Sequence, residues 1–567
     1  MRDRRRGGRV TMDLVIGLHS HLPYVLHHGR WPHGSDWLSE AAVDTYLPLL
    51  EALLGLEVEG VASPITLGIT PILANQLAHP SFGTELQAFL TQRLSACDEA
   101  IGAFERDREP TLIPIAEYWR GRLARMERLF HRIDGDAIGQ LRRLEDQGRL
   151  ELISSAATHG FLPLLGRVES IELQLLVGRR EHRRLFGRDP RGCWVPECAY
   201  RPRGDWQPLA GVAVQRNRPG VEEHLAGHHY RYFFTDSHLA QAGRTLGLYA
   251  EPGLPGADQL APDDPLNLPA ARSPYRPYRV SPRGGDTVAT LVRDPVASRQ
   301  VWSRHLGYPG DGGYLEFHKI RFPGGLKLWQ VTDPSIDLGA KLPYDPNAAR
   351  ARAHRHAEHY AALLRDLAIA QTRDGQVIAV PFDTELFGHW WFEGVDFLAD
   401  LYRALQRTPG SPRPATGSDH LERHPARTAV ELAEGSWGAN GDFSKWLNSE
   451  TEWTWRSLWS VEAAFWEAAP AALERPARRA VLAQAARELL LAQSSDWQFI
   501  ISSGTAVDYA SRRFAEHVDN CRRLLAGLDD PSGPSDAVRE EAAGLGQLND
   551  VFPDVADAVA DVVSARR

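Results

Sequence analysis

The chain has 567 residues, of which 43% are hydrophobic and 24% are charged, and its formal net charge at pH 7 is −9. This length exceeds what one ordinary hydrophobic core organises, so we expect two or three packed units. An acidic chain repels a polyanion, and no run of about 18 apolar residues is present. Neither nucleic acid nor a membrane is therefore expected as a partner.

Residues 1–11 are expected to form a disordered basic tail, because the arginine-rich run at 2–9 has no apolar segment behind it. Met12 is an alternative start. The four cysteines show no paired spacing, which indicates a reducing, cytoplasmic location. Sixteen tryptophans are present, and most are expected in the core, although indole faces also stack on sugar rings.

Short β-rich runs alternate with helical patterns through the first two thirds of the chain. The predicted strands are 13–18, 64–69, 150–155, 192–196, 232–235, 287–292 and 377–382, and clear helical patterns cover 41–56, 119–147, 171–186 and 350–371. This alternation predicts a parallel sheet, and seven strands at this spacing predict an α/β barrel rather than an open sheet.

The same reading divides the chain into regions. We expect a barrel catalytic domain over 12–410, with a helical insertion at about 80–130 and a long Pro- and Gly-rich surface loop at about 251–286. After a break at 408–414, an all-helical domain is predicted over 415–530, contributing to the active-site cleft. Residues 531–567 are expected to be a tail.

Polar side chains follow nearly every predicted strand of the barrel. They are His19, His21, His159, Glu197, Asp236, Asp294 and Asp383. Because the active site of a β/α barrel is built at the carboxyl ends of its strands, we expect these residues to converge.

Glu197 and Asp383 each lie among aromatic residues, in the runs 192–200 and 381–391. Two carboxylates between aromatic platforms suit glycoside chemistry, in which one attacks the anomeric carbon and the other protonates the leaving oxygen. The alternative for each is a surface ion pair or a helix N-cap. Glu385 is equally well explained as a residue that orients the site.

A second interpretation is a metal centre of a polysaccharide deacetylase. His19, His21, His159 and His389, with Asp236 or Asp383, would bind the metal and activate water. Histidines that hydrogen-bond sugar hydroxyls would give the same sequence pattern, so both interpretations stay open here. No nucleotide-binding loop and no Gly-x-Ser-x-Gly elbow is present in the sequence.

Five ordered segments, at 19–24, 159–163, 194–200, 382–391 and 434–438, resemble the motifs of glycoside hydrolase family 57. The resemblance implies an incomplete, seven-stranded barrel of the TIM type, a retaining double displacement and no cofactor or metal. By the same resemblance, Glu197 is the nucleophile and Asp383 is the acid/base.

Within that family, the segments at 301–311, 434–446 and 493–497 resemble branching enzymes more than 4-α-glucanotransferases. The implied activity cleaves α-1,4 links and forms α-1,6 branches in glycogen-like glucans, with amylose or glycogen as donor and acceptor, by a monomer. The candidate substrate-binding residues are His19, His21, His159, Tyr249, Trp302, His389, Trp391, Trp437, Trp446 and Asp496. Packing between domains is the alternative for Trp437 and Trp446. An amylase-type hydrolase, a 4-α-glucanotransferase or a silent glucan-binding regulator remain alternatives for the chain.

Overall fold

The structure is a computed structural model that describes residues 12–249, 260–262, 272–280, 287–303, 306–333, 335–371 and 375–566. At 247–249 and 260–262 the description covers the backbone alone. The predicted basic tail at 1–11 lies outside the described residues.

Seven parallel strands form the centre of the described chain. They are β1 (Asp13–Ser20), β2 (Thr66–Ile69), β3 (Glu151–Ser155), β4 (Gly192–Trp194), β5 (Tyr232–Thr235), β6 (Val288–Val292) and β7 (Val377–Asp383). Their order in the sheet is β7-β1-β2-β3-β4-β5-β6. Each overlaps a predicted strand, and the predicted α/β barrel is confirmed.

The barrel is closed weakly between its first and last strands in the sheet, β7 and β6. Among the described residues, a single parallel bridge joins them, between Arg293 and Ala379, with the Asp294 amide donating to the Ala379 carbonyl at 2.8 Å. Every other neighbouring pair of barrel strands forms a ladder. We call this junction the seam, and it makes the barrel incomplete.

The inward face of β1 runs from one end of the barrel to the other. Side chains alternate along a strand, so Asp13, Val15, Gly17 and His19 share one face. Val15 belongs to the apolar cluster that fills the barrel. At Gly17 a β-carbon would lie only 3.0 Å from the Phe234 ring, so any larger residue there would have to displace this ring.

Helices surround the barrel and form its insertion. Their bounds are Ser35–Ala41, Leu47–Val58, Pro71–Ala78, Pro80–Asp107, Ile113–Arg132, Ala137–Asp146, Val168–Phe186, Val221–Gly227, Ser237–Ala242, Pro295–Trp302, Pro346–Ala370, Gly394–Arg407 and Gly417–Arg423, with a π-helical turn at Ala42–Tyr46. Pro80–Asp107 and Ile113–Arg132 pack together as an antiparallel pair where the helical insertion is predicted.

The sheet continues beyond β6 through four further strands, Tyr278–Val280, Thr428–Glu431, Arg244–Tyr249 and Leu260–Pro262. Two predictions are wrong here. The region 251–286 is not loop throughout, because two of these strands lie in it, and the helical region does not begin at 415, because Thr428–Glu431 belongs to the sheet. Both errors concern strands of three or four residues, too short to show a period. Smaller pairings involve Gly204–Trp206 with Gln215–Arg218, and Arg413–Pro414 with β1.

The carboxy-terminal helical unit contains Glu452–Ala472, Pro476–Ala492, Asp496–Ser503, Val507–Ala526, Asp536–Leu548 and Val555–Ser564. Pro476–Ala492 lies at its centre and contacts most of the others. The prediction of a tail at 531–567 is wrong, since Phe552, Val555 and Val559 of this segment are buried against the unit. The prediction failed because the segment contains many Asp, Ala and Gly residues, and its short stripe of buried apolar residues is not evident from composition. Within the described part of the chain, no helix is long and apolar enough to span a bilayer.

Candidate active site

Glu197 lies directly after β4, in the short turn Pro196–Cys198 at the carboxyl end of the barrel. Its backbone is in the left-handed region, with φ at 59° and ψ at 20°. This conformation is costly for a residue with a side chain and persists only where the surroundings enforce it. The turn therefore holds the Glu197 carboxylate in a fixed direction over the barrel mouth.

Both oxygens of the Glu197 carboxylate accept hydrogen bonds from outside the barrel strands. Trp437 Nε1 donates to Oε2 at 2.8 Å, and Ser495 Oγ lies 3.1 Å from Oε1. Burial raises the pKa of Glu197 to about 7, the Trp437 hydrogen bond opposes this rise, and the neighbouring Asp383 adds to it. The two carboxylates thus interact electrostatically.

Asp383 is the last residue of β7, and its backbone pairs with that of His19 on β1. Burial raises the pKa of Asp383 well above its ordinary value, the charge of Glu385 raises it further, and Arg293 opposes the rise. No described residue donates a hydrogen bond to the Asp383 carboxylate. The Asp383 carboxyl therefore lacks the hydrogen bonds that the Glu197 carboxylate receives, and its burial favours the protonated form.

Glu385, two residues further on, accepts hydrogen bonds from the Tyr46 hydroxyl at 2.5 Å and from the His21 amide at 3.0 Å. Burial raises its pKa to about 7. Glu385 thus ties the end of β1 to the loop that carries Asp383, in keeping with a residue that orients the site.

The three histidines at the ends of β1 and β3 are brought together. His19 Nε2 lies 2.9 Å from His159 Nε2, and the His21 and His159 rings stack at 4.1 Å. The His19 ring also stacks on Trp194 at 4.5 Å, nearly parallel to it. Burial lowers the pKa of both His19 and His159 well below its usual range, so both are neutral at pH 7.

The helical unit contributes to the same site through Ser495 and Asp496. Asp496 Oδ2 lies 2.7 Å from His21 Nε2 and also accepts a short hydrogen bond from Ser494. Burial alone would raise the pKa of Asp496, but His21 outweighs it and the pKa is lowered. Asp496 was predicted at the site and Ser495 was not, although it lies in the 493–497 run that carried the family resemblance.

One side of the site is aromatic. Trp302 is 40% exposed, and its ring lies 5.9 Å from that of Trp437, so both offer a face at the entrance. The Arg293 guanidinium lies over both rings and donates to Asp236 at 3.0 Å. Sequence reasoning missed Arg293. Its position at the end of a predicted strand could have indicated it. The prediction chose the next residue, Asp294, which caps the helix Pro295–Trp302.

Three predicted substrate-binding residues lie elsewhere. Trp391 and Trp446 are almost fully buried, and they pack against Phe397 at 4.9 Å and Phe161 at 4.8 Å, respectively. Both rings are packed inside the protein here, as the packing alternative expects, and their contact with a sugar stays a prediction. His389 Nδ1 lies 3.5 Å from Asp44 Oδ2, and its ring lies 5.3 Å from that of Phe317. Tyr249 ends the strand Arg244–Tyr249, and its side chain lies outside the description.

The histidine cluster does not have the arrangement of a metal centre. His19 and His159 bind each other, while His21 is engaged by Asp496 and by Thr70, whose hydroxyl lies 3.0 Å from Nδ1. Among the described residues, the one group with ligand-like spacing is Glu40, Asp44 and His389. Its two carboxylates already pair with the Lys327 ammonium, at 3.0 Å and 3.4 Å.

Two buried carboxylates with different hydrogen-bond environments suit a reaction that needs one anion and one acid. Glu197, with two hydrogen bonds to stabilise its charge, is suited to attack. Asp383, buried without a donor, is suited to give up a proton. The exposed Trp302 and the half-buried Trp437 offer flat apolar faces beside this pair.

Comparison with known proteins agrees with this geometry. The family model described as "Glycosyl hydrolase family 57" matches residues 15–433, and the model "1,4-alpha-glucan branching enzyme, C-terminal" matches residues 459–559. The 1,4-alpha-glucan branching enzyme of Thermococcus kodakarensis is 39% identical over 525 residues, which cover 91% of this chain and 73% of that protein.

Solved structures show the same architecture. A branching enzyme from Pyrococcus horikoshii superposes with a TM-score of 0.85 at 36% identity, over 97% of this chain and 96% of that one. The alpha-amylase AmyC from Thermotoga maritima superposes with a TM-score of 0.77 at 27% identity, over 97% and 99% of the two chains.

Proposed function

The chain belongs to glycosyl hydrolase family 57, and we propose that it is a 1,4-alpha-glucan branching enzyme. The enzyme cleaves an α-1,4 link of a glucan and transfers the released chain to a 6-hydroxyl, which forms an α-1,6 branch. The observation that carries this proposal is the meeting of Glu197, Asp383 and the helical unit in one site. That unit matches the carboxy-terminal model of branching enzymes.

In the first half of the reaction, ionised Glu197 attacks C1 of the glucose unit at the cleavage point. Protonated Asp383 gives its proton to the departing oxygen, and a covalent glycosyl-enzyme forms. The environments support these roles, since Trp437 and Ser495 donate hydrogen bonds to the Glu197 anion, whereas among the described residues only the charge of Arg293 favours that of Asp383.

In the second half, Asp383 removes the proton of an incoming 6-hydroxyl, which attacks C1 and releases Glu197. The net configuration at C1 is retained because two inversions occur. Water competes with the sugar hydroxyl, so the site must orient the acceptor and limit access of water to the intermediate. Trp302 and Trp437 are the residues that we assign to this task.

Neutral His19 and His159 and the His21–Asp496 pair are proposed to contact the sugar hydroxyls next to the cleaved bond. A neutral imidazole can donate or accept such a bond and an ionised carboxylate accepts one, and the cost is low when the group is already held in place. We also propose that the protein acts as a cytoplasmic monomer, with amylose or glycogen as donor and acceptor. Four buried, unpaired cysteines support a reducing compartment.

The test is to incubate the protein with amylose and to follow α-1,6 linkages by proton NMR alongside new reducing ends. We expect α-1,6 signals with few reducing ends, and no reaction in Glu197→Gln. Glu105→Gln, a change of an exposed carboxylate on the insertion, is the matched control and should react like the wild type. Reducing ends without branches would contradict transfer and would identify a hydrolase of the alpha-amylase kind.

A further inference from the structure

Ser495 occupies the position directly before the helix Asp496–Ser503 but does not cap it. Serine at an N-cap commonly accepts a hydrogen bond from a backbone amide of the first turn, and this stabilises the helix. Here the Ser495 side chain makes no such bond. The hydroxyl is therefore free to form another contact, and the helix lacks the stabilisation that an N-cap hydrogen bond would give it.

The hydroxyl of Ser495 bridges two residues of the barrel. It lies 3.1 Å from Glu197 Oε1 and 2.9 Å from His159 Nδ1, and the side chain is almost fully buried. His159 Nδ1 and Glu197 Oε1 are themselves 3.7 Å apart, too far for a good hydrogen bond. Ser495 thus fills the gap between them.

The backbone fixes this bridge in place. The Ser495 amide donates to the His159 carbonyl at 3.2 Å, and Ser494 pairs with Gly160 in an antiparallel bridge. His159 has a positive φ of 59°, as Glu197 does. A hydroxyl held between two strained and buried residues has little freedom to turn elsewhere.

The direction of each hydrogen bond follows from counting protons. An ionised Glu197 has none, so the single proton of Ser495 must point to Oε1. Ser495 Oγ then accepts from His159 Nδ1–H, which leaves the neutral His159 ring with a lone pair on Nε2. His19 Nε2–H fills that lone pair at 2.9 Å. The chain ends at His19 Nδ1, which has no partner among the described residues.

We propose that Ser495 is a positioning residue, by which the helical unit holds the nucleophile Glu197 through a directed chain of hydrogen bonds from His19 and His159. This inference rests on the proposed function, because it assigns a task to Glu197 in that reaction. Ser495 stabilises the anion at Oε1 and prevents the carboxylate from rotating, while Trp437 does the same at Oε2. The barrel alone does not complete the site.

The groups that face Glu197 come from several elements. Asp383 and Asp496 raise the pKa of Glu197, and His21 and the Trp437 hydrogen bond lower it. His159, neutral because it is buried, faces Oε1 beside Ser495. Removal of one donor from this set must raise the pKa of Glu197 further, since the anion loses stabilisation and the proton does not.

The experiment compares Ser495→Ala, Ser495→Thr and Ser503→Ala. Ser503 lies in the same helix, and within the described part of the chain its hydroxyl bonds to the Phe499 carbonyl alone, so its variant is the matched control. For Ser495→Ala we expect kcat to fall about 10- to 100-fold, as for loss of one hydrogen bond to a charged group, with KM nearly unchanged. The acidic limb of its kcat/KM profile should move to higher pH. Ser495→Thr, which keeps the hydroxyl, should restore both.

An unchanged kcat and an unchanged acidic limb in Ser495→Ala would overturn the proposal, and so would a lower kcat without movement of the limb. If Ser495→Thr does not fold, the pH profile of Ser495→Ala decides alone. The Glu197 pKa can also be read without turnover, by infrared difference titration against Glu197→Gln. A wild type that forms no branches would refute the proposed function, and this titration would still test the position of Ser495.

Discussion

Asp13 lies buried at the amino end of the barrel, and His19, on the same face of β1, lies at the carboxyl end beside Glu197 and Asp383. At about 3.3 Å per residue, the two ends are roughly 20 Å apart. Asp13 is surrounded by cations and donors, with His420 Nδ1 and Arg413 Nη2 at 2.8 Å and Arg423 Nη2 at 3.0 Å. At the other end lie Glu197 and Asp383, the proposed catalytic pair, whose charges interact.

The pKa values of these carboxyl groups move in opposite directions, although all are buried. Burial alone would raise the pKa of Asp13, but hydrogen bonds from His420, Arg423 and Arg413 outweigh it and hold the pKa far below its ordinary value. Burial raises the pKa of Glu197 and Asp383, and too few partners oppose it. Both ends are buried, so burial does not distinguish them. The number of hydrogen-bond donors and cations around each carboxyl group separates the stabilising end of the barrel from the reactive one.

The sharpest test of this division is Glu197→Gln. We expect the rate of branch formation to fall roughly 10⁴-fold or more, because the nucleophile is lost. The free energy of unfolding should stay the same or rise, since a buried carboxylate beside Asp383 becomes neutral. Branching assays and chemical denaturation measure the two. A large loss of stability would mean that Glu197 supports the fold as Asp13 does.

The reciprocal change is Asp13→Asn. It leaves two arginines beside a neutral side chain, and we expect unfolding to become easier by about 3 kcal/mol. The value of kcat per folded molecule should not change, because the site lies at the far end of the strand. Urea denaturation gives the first quantity and active-site titration the second. Asp107→Asn, at an exposed helix end, serves as the control. A fall in kcat with an unchanged free energy of unfolding would contradict the assignment of stability to the amino end of the barrel and of activity to the carboxyl end.

Acidity should lower activity while it increases the contribution of Glu197 to stability. In the proposed mechanism activity needs ionised Glu197, whose pKa is about 7, so kcat/KM of the free enzyme should fall up to about tenfold per pH unit below that value. Glu197 and Glu385, whose folded pKa values are raised, bind protons more tightly when folded, so their contribution to stability should rise from pH 7 to pH 5. Buried His19 and His159, whose folded pKa values are lowered, change stability in the opposite direction over that range, so the contribution of Glu197 is read from its own variant.

The lowered pKa of Asp13 gives the opposite sign at lower pH. Its contribution is complete above its unfolded pKa of about 3.9 and is lost as the pH falls through the folded value. The difference in denaturation midpoint between the wild type and Glu197→Gln should therefore shift in favour of the wild type from pH 7 to pH 5, and the difference between the wild type and Asp13→Asn should shrink only below about pH 4. A wild type to Glu197→Gln difference that did not change with pH would contradict the raised pKa of Glu197.

A smaller effect is expected for Trp437→Phe, which keeps an aromatic face but removes the donor to Glu197 Oε2. We expect kcat to fall about tenfold, with the acidic limb of activity moving to higher pH. A pH profile on amylose measures both. If the limb stays in place and only KM for glucan rises, Trp437 acts through its ring alone.

The sequence predicted the framework of this site better than its details. The seven strands were found because short apolar runs alternate with long amphipathic helices, and Glu197 and Asp383 were found because each follows such a strand. The buried positions of Trp391 and Trp446 could not be predicted from residue type, since tryptophan occurs both in sugar-binding grooves and in hydrophobic cores.

Contacts between distant segments were the other gap. Ser495 is 298 positions from Glu197, and Arg293 reaches Asp236 and Trp437 from the end of β6. The local sequence does not predict these contacts. A serine before a helix is interpreted as an N-cap, and an arginine after a strand is interpreted as a surface residue. The strand Thr428–Glu431 was missed for a related reason, as four residues gain their conformation from the strands they pair with.

The seam between β6 and β7 has a consequence for deuterium exchange. Amides in the ladders exchange only when several neighbouring bonds break together, whereas the Asp294 amide is held to Ala379 across a single bridge. Arg293, which precedes it, reaches into the catalytic site. We therefore expect slow local opening of the barrel to begin beside Trp302 and Trp437, at the rim that we propose to bind glucan.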